Sequence, residues 1–236
     1  MKVLKERFLD ARKRYKIRRE KPQLWRFADA GFGYIQIPKV ATRSIRQALV
    51  KVAERTDESF ADFELAHSAH VDPRDIRKLV NEGLFVFVFV RDPLARLHLA
   101  WVNKIVDGER EGRKNIFRCH NIPYGTDFKT FVRLVSGLAD RDVDRHLRSQ
   151  AWFLADDNGV MPQYVGKLEQ FSEHWQALRE KLPVLSDVDH INKAAFSMNY
   201  LSAYDDETLE LAVGRFRRDF ELFDYPVPVN VSGSMG

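Results

Sequence analysis

The chain has 236 residues, 44% of them hydrophobic and 31% charged, the make-up of a folded globular chain with one large domain or two small ones. The net charge is +4, but residues 1–26 hold eleven basic and three acidic residues, so the remainder carries −4. Cys119 is the single cysteine, which excludes an internal disulfide or a cysteine zinc cage and points to a reducing, cytoplasmic setting. No apolar run reaches the ~20 residues of a membrane span, and no apolar stretch follows the N-terminal charge as in a secretory signal.

Residues 2–21 read as a basic, weakly amphipathic helix with a thin apolar face of Leu4, Phe8, Leu9, Ala11 and Tyr15. Residues 1–28 are taken as a basic helical arm ahead of a single domain, 29–236. The arm is either solvated or docked, and its charge leaves open a peripheral membrane contact or an anionic polymer. Tyr34 to Ile37, behind Gly31 and Gly33, reads as a strand that Pro38 stops. From Ser44 the apolar spacing of Ile45, Ala48, Leu49 and Val52 predicts a helix. Residues 73–82 predict another, with Pro73 in its first turn.

Leu84 to Val90 is unrelieved apolar sequence, as expected of a strand covered on both faces in the middle of a parallel sheet. Arg91-Asp92-Pro93 ends it, and 94–105 reads as the next helix. Residues 107–127 suggest a long loop or lid. Beyond it, 127–138, 141–154, 171–182 and 205–222 read as helices, and Met161 to Leu168 as a further short strand. Two strand–loop–helix units make the expected class α/β: a central parallel sheet flanked by helices, with a helix-rich C-terminal half.

Pro38-Lys39-Val40-Ala41-Thr42-Arg43-Ser44 lies between a strand and a helix, where free backbone N–H groups and the helix dipole converge on an anion. Lys39 offers a point charge, and Thr42 and Ser44 offer hydroxyls. The pattern G-x-x-x-x-G-K-[ST] is absent, which disfavours an ordinary kinase or NTPase. The residues alone equally describe a turn with a capping hydroxyl.

This loop resembles the P-K-x-x-[ST]-x-S loop of sulfotransferases that use 3′-phosphoadenosine 5′-phosphosulfate (PAPS), above all the carbohydrate type that includes the chondroitin and uronyl/heparan enzymes. Phe89-Val90-Arg91-Asp92-Pro93 through Arg96 and Trp101 resembles their second phosphate element. His146-Leu147-Arg148-Ser149-Gln150, Tyr164 to Glu169, His190-Ile191-Asn192-Lys193, and Tyr204 to Tyr225 resemble four further pieces in the family's order. The resemblance covers residues 33–225 and implies a P-loop-like three-layer fold. It also implies sulfuryl transfer from PAPS, as co-substrate, to an acceptor hydroxyl on a glycan or glycolipid.

Carried over residue by residue, the resemblance implies that Lys39, Val40, Ala41, Thr42, Arg43 and Ser44 hold the 5′-phosphosulfate, with Lys39 as catalytic cation. Arg91 would take the 3′-phosphate. Where the family has a serine for that phosphate this chain has Leu99, which has no donor. One such bond is worth about 1.5–3 kcal/mol. Lys193 is the expected compensating donor, with His98 a poorer one. His70, followed by Val71 ahead of the Arg91 strand, is the expected base, and His67 the second choice. Arg148 and His146 are expected at the acceptor. The mechanism needs no metal. The competing reading is a non-catalytic or degenerate nucleotide or anionic-glycan binding protein on the same fold. A nucleic-acid partner is disfavoured by the net −4 of the body.

Overall fold

The structure, a computed structural model, describes residues 2–52, 60–188 and 199–228. Along the chain come α1 (Lys2–Arg19), β1 (Gln23–Phe27), β2 (Phe32–Gln36), α2 (Thr42–Val52), α3 (Phe60–His67), β3 (Ser68–His70), α4 (Pro73–Asn81), β4 (Phe85–Val90) and α5 (Pro93–Trp101). Then follow α6 (Asp107–Arg110), α7 (Phe128–Ser136), α8 (Gln150–Leu154), β5 (Ala155–Asp156), β6 (Gly159–Val160), β7 (Tyr164–Lys167), α9 (Phe171–Lys181), α10 (Asp206–Arg215) and α11 (Arg217–Leu222). Contacts sort the chain into two compact units. One is Met1–Glu20, Asp92–Trp152 and Asn199–Gly236, and the other is Lys21–Arg91 and Phe153–Met198.

The second of these units holds the sheet, in the order β3-β1-β2-β4-β7. β2, β4 and β7 run parallel, and β1 runs antiparallel to both β2 and β3. The expected parallel sheet is therefore mostly parallel, with β1 as its reversed member. β4 sits between β2 and β7, and Val86 to Val90 are fully buried, as its unbroken apolar sequence requires. Phe89 carries α9 on its ring, 4.7 Å from Phe171 and 5.9 Å from Trp175.

That ring also explains a glycine. Gly166 of β7 is the register partner of Phe89, and a Cβ there would lie 2.5 Å from the ring. Gly166→Ala must displace Phe89 against α9, an overpacking that costs about 1–3 kcal/mol. Urea unfolding checks this; an unchanged midpoint would show that the ring moves freely.

Helix starts follow their capping side chains. Asp72 accepts from the Arg74 N–H ahead of α4, and Asp92 from the Ala95 N–H ahead of α5, each with proline in the first turn. Asp205 and Thr208 close a capping box on α10. The expected helix over 141–154 is not continuous: a 3₁₀ turn at Asp140–Asp142 is followed by irregular chain and then α8. The Asp140 carboxylate takes the Ser149 N–H at 2.8 Å and hydroxyl at 2.6 Å, and Arg148 Nε donates to the carbonyls of Asp140 and Val143. These side-chain bonds outcompete helical pairing. The 205–222 helix likewise breaks at Phe216, between α10 and α11.

The boundary placed at residue 28 does not hold. Gln23–Phe27 is a sheet strand, so the basic segment beyond α1 belongs to the fold. The expected apolar face of α1 is also corrected. Phe8 is 68% and Tyr15 59% exposed, Leu9 and Ala11 are exposed as well, the Leu4 side chain lies outside the described residues, and among the described side chains of α1 Ile17 is the buried one. Polar contacts hold the helix instead: Arg14 donates to the Cys119 carbonyl at 3.2 Å, Arg18 pairs with Asp142 at 2.6 Å and Asp10 with Arg118 at 3.2 Å.

Candidate functional site

β2 and β4 are parallel neighbours, so the turn after Gln36 and the residue after Val90 leave the sheet at the same edge, one strand spacing of about 5 Å apart. The first is the Pro38–Ser44 loop and the second is Arg91, whose side chain is 5% exposed. β7 adds Lys167, the register partner of Val90, at the same edge. Three cationic residues thus end or follow three parallel strands, the position at which open α/β sheets bind ligands.

The loop has no glycine, yet Lys39 has φ +74° and Ala41 has φ +50°. Val40 and Thr42 have ordinary negative φ, so the sign alternates along the loop, the conformation that turns successive N–H groups into one anion-binding concavity. Left-handed backbone at a non-glycine residue costs about 1–3 kcal/mol and persists where surrounding structure imposes it. Here Val40 is fully buried below the loop and the Thr42 hydroxyl donates to the Ile37 carbonyl at 3.0 Å, which pins both ends. α2 begins at Thr42, so its N-terminal dipole adds to the same concavity. Lys39, Ala41, Thr42 and Ser44 are half-buried and Arg43 is exposed. This donor set fits a phosphate or sulfate group.

The histidines separate. β3 is antiparallel to β1, which is antiparallel to β2, so β3 runs parallel to β2 and its last residue, His70, reaches the loop's edge of the sheet. His70 is exposed, and its Nδ1 lies 3.0 Å from the Lys21 carbonyl, a partner that leaves Nε2 as the ring's other face. His67 sits a turn earlier, stacked on Phe27 at 4.8 Å and against Phe63 at 4.9 Å, with its Nε2 buried. It is packed into an aromatic cluster rather than presented at the edge.

One feature of this edge was not legible in the sequence. Gln36, Gln23 and His70 are successive register partners across β2, β1 and β3. Gln36 donates to Gln23 at 2.9 Å, and Gln23 donates to Glu64 at 3.0 Å and to the Ser68 hydroxyl at 3.1 Å. This buried row fixes β3, and with it His70, against the strand that enters the loop. The signal was Gln23 and Gln36 beside apolar residues, which says nothing about pairing while Gln23 is counted in a helical arm.

The remaining expected residues lie elsewhere. Leu99 is half-buried in α5, in the helical unit. His98 is enclosed by Trp101 and Phe128. Lys193, with His190 and Asn192, lies outside the described residues. Arg148 is fully buried: it donates to the carbonyls of Asp140, Val143 and Ile17, and it caps the Trp152 ring at 3.9 Å. A guanidinium so committed holds the fold and has no face for an acceptor. His146 Nδ1 lies 2.7 Å from Asp144; burial raises that carboxyl, but the histidine's bond and charge outweigh it and hold it at about 2. Among the described residues no three of His, Cys, Asp or Glu converge as metal ligands, and no helix is long and apolar enough to cross a membrane.

Comparison with known proteins identifies the family. The profile of the sulfotransferase family matches residues 22–226. The chain belongs to the sulfotransferase family. It is 24% identical over 224 residues to carbohydrate sulfotransferase 14 of Danio rerio, an alignment covering 84% of this chain and 60% of that protein. The chain therefore spans less than two thirds of the relative's length. No solved structure matches it significantly. The family match begins at residue 22, one residue ahead of β1, in line with β1 being part of the fold rather than of an arm.

Proposed function

We propose that this sulfotransferase moves a sulfuryl group from PAPS to a hydroxyl of a carbohydrate. The observation that carries the reading is the left-handed, glycine-free loop at Lys39–Ala41 beside Arg91 on the neighbouring parallel strand. The loop N–H groups, that of Thr42 included, and the Ser44 hydroxyl would hold the 5′-phosphosulfate, the Thr42 hydroxyl being spent on the Ile37 carbonyl, and Arg91 would bind the 3′-phosphate with its planar fork. When bound, the nucleotide supplies the activated sulfuryl group.

Catalysis then falls to positioning and charge, as in phosphoryl transfer. Lys39 places a cation where negative charge gathers on the leaving oxygen. His70, with Nδ1 donating to the Lys21 carbonyl, keeps Nε2 as an acceptor and can take the proton of the attacking hydroxyl. The carbohydrate acceptor is supported by the likeness to carbohydrate sulfotransferase 14.

Calorimetric titration with 3′-phosphoadenosine 5′-phosphate tests the reading. Micromolar binding that Arg91→Ala weakens by at least about tenfold supports it. A folded wild-type chain that binds nothing at high micromolar nucleotide overturns it. His70→Gln should lower kcat by about a hundredfold or more, with nucleotide affinity unchanged. An unaltered kcat would transfer the base role away from His70.

A further inference from the structure

Over its described side chains α1 is built inside out. From Phe8 to Glu20, the residue after its last turn, the half-buried or buried positions are Asp10, Lys13, Ile17 and Glu20, spaced i, i+3, i+7 and i+10 on one face. Three of the four are charged. Asp10 pairs with Arg118, Lys13 with Asp144, and Glu20 with Arg145 and Arg148. The opposite face carries Phe8, Ala11, Arg12, Tyr15, Lys16 and Arg19, all exposed, with Leu9 beside it. Within this stretch both acids are turned inward, so the outward face holds only bases and apolar groups. Arg19 lies over the Tyr15 ring at 5.3 Å, which keeps a cation and an aromatic together on that face.

Isolated exposed apolar side chains are common, but a helix that spends its polar residues on packing and turns its aromatics to water is not. We infer that this face of α1 docks on an anionic lipid bilayer. The bases match the negative surface of such a membrane, the Phe8 and Leu9 side chains match its acyl boundary, and Tyr15 matches the interfacial zone where aromatic side chains concentrate.

Charge and polarity separate this occupant from the others. A second copy would set Arg12, Lys16 and Arg19 against the same bases. A hydrophilic polyanion would neutralise the bases but leave Phe8 and Leu9 in water. A bilayer with acidic headgroups satisfies both sets. The inference is independent of the phosphate site, since it concerns neither the loop nor the histidines.

Co-sedimentation of the full chain with vesicles tests it. The vesicles are an equimolar mixture of phosphatidylglycerol and phosphatidylcholine, with pure phosphatidylcholine as control. Two variants are compared, Phe8→Ser/Leu9→Ser/Tyr15→Ser and Arg12→Gln/Lys16→Gln/Arg19→Gln. All six positions are exposed, so thermal unfolding should coincide with wild type for both. The expected result is binding to the acidic vesicles only. The loss of three cations should weaken it about a hundredfold, and the loss of the apolar groups at least about tenfold.

Absence of binding to acidic vesicles overturns the inference. So does binding that both variants retain. Sedimentation with soluble polygalacturonate that is insensitive to the apolar variant would replace the bilayer by a polyanion. A wild-type dimer in analytical ultracentrifugation that the apolar variant abolishes would replace it by a second copy.

Discussion

Lys39→Ala should lower the rate of sulfuryl transfer by about a hundred- to a thousandfold while leaving the fold intact, the usual cost of removing one preorganised charge-stabilising donor. The substitution is well suited to the question because Lys39 sits at φ +74°. Alanine has the same left-handed strain as lysine, so the backbone cost is carried over unchanged. Thermal unfolding of both proteins reads what the lysine side chain adds to the fold. Single-turnover transfer would read the chemical step, and calorimetry the affinity for the desulfated nucleotide. If kcat holds and only affinity falls, Lys39 acts on the ground state alone and its catalytic assignment is wrong. Lys39→Arg keeps the charge on a larger, planar group and should restore binding more than rate.

Several elements were legible because their signals are local. The Phe85–Val90 run, the proline after Ile37, the apolar spacing of α2 and the Asp-Pro starts of α4 and α5 each act within a few residues. What determines the loop's shape was not local. A glycine-free stretch reads as an ordinary turn, and only the burial of Val40 and the Thr42 bond back to Ile37 hold Lys39 and Ala41 in the left-handed region. β1 was invisible for a related reason. It opens on Gln23 and carries an exposed Arg26, β2 ends on Gln36, and the burial of the two glutamines is tolerated because Gln23, Gln36, Glu64 and Ser68 satisfy one another. In α1 the apolar pattern pointed to the wrong face, since ion pairs rather than apolar area decide which side packs.

The family-like pieces also divide by burial. Lys39, Thr42, Ser44 and Arg91 come to one sheet edge. Arg96, Arg148, Tyr204 and Asp219 are struts of the helical unit. Arg96 donates to the Arg148 carbonyl at 2.6 Å, and the Tyr204 hydroxyl donates to the Leu94 carbonyl at 2.9 Å. An arginine in a motif reads the same whether it grips a ligand or a carbonyl. That is why Arg148 was expected at the acceptor, while its three carbonyl partners show otherwise.

Asp219 is the strut whose loss should cost most. It is fully buried in α11, and its two oxygens accept the N–H groups of Gln150 and Ala151 at 2.8 and 2.7 Å, which starts α8. Asp219→Ala leaves both donors buried without a partner, and each such orphan costs about 1–3 kcal/mol. A loss of about 3–5 kcal/mol is expected, a drop of roughly 10 °C in Tm for a chain of this size. A drop under about 1 kcal/mol would mean that water or a shifted side chain replaces the carboxylate.

The same group should bend the pH profile of stability. Burial raises its pKa to about 6, against the two N–H bonds and the charge of Arg96, which lower it, while Asp140 raises it further. A carboxyl raised on folding contributes fully below its ordinary value and loses that contribution as pH rises through the folded one. Stability relative to Asp219→Asn should therefore fall between about pH 4 and 6, by up to about 3 kcal/mol. Urea unfolding of both proteins across that window reads it directly, and parallel curves would show that Asp219 ionises in the native state as readily as in the unfolded chain.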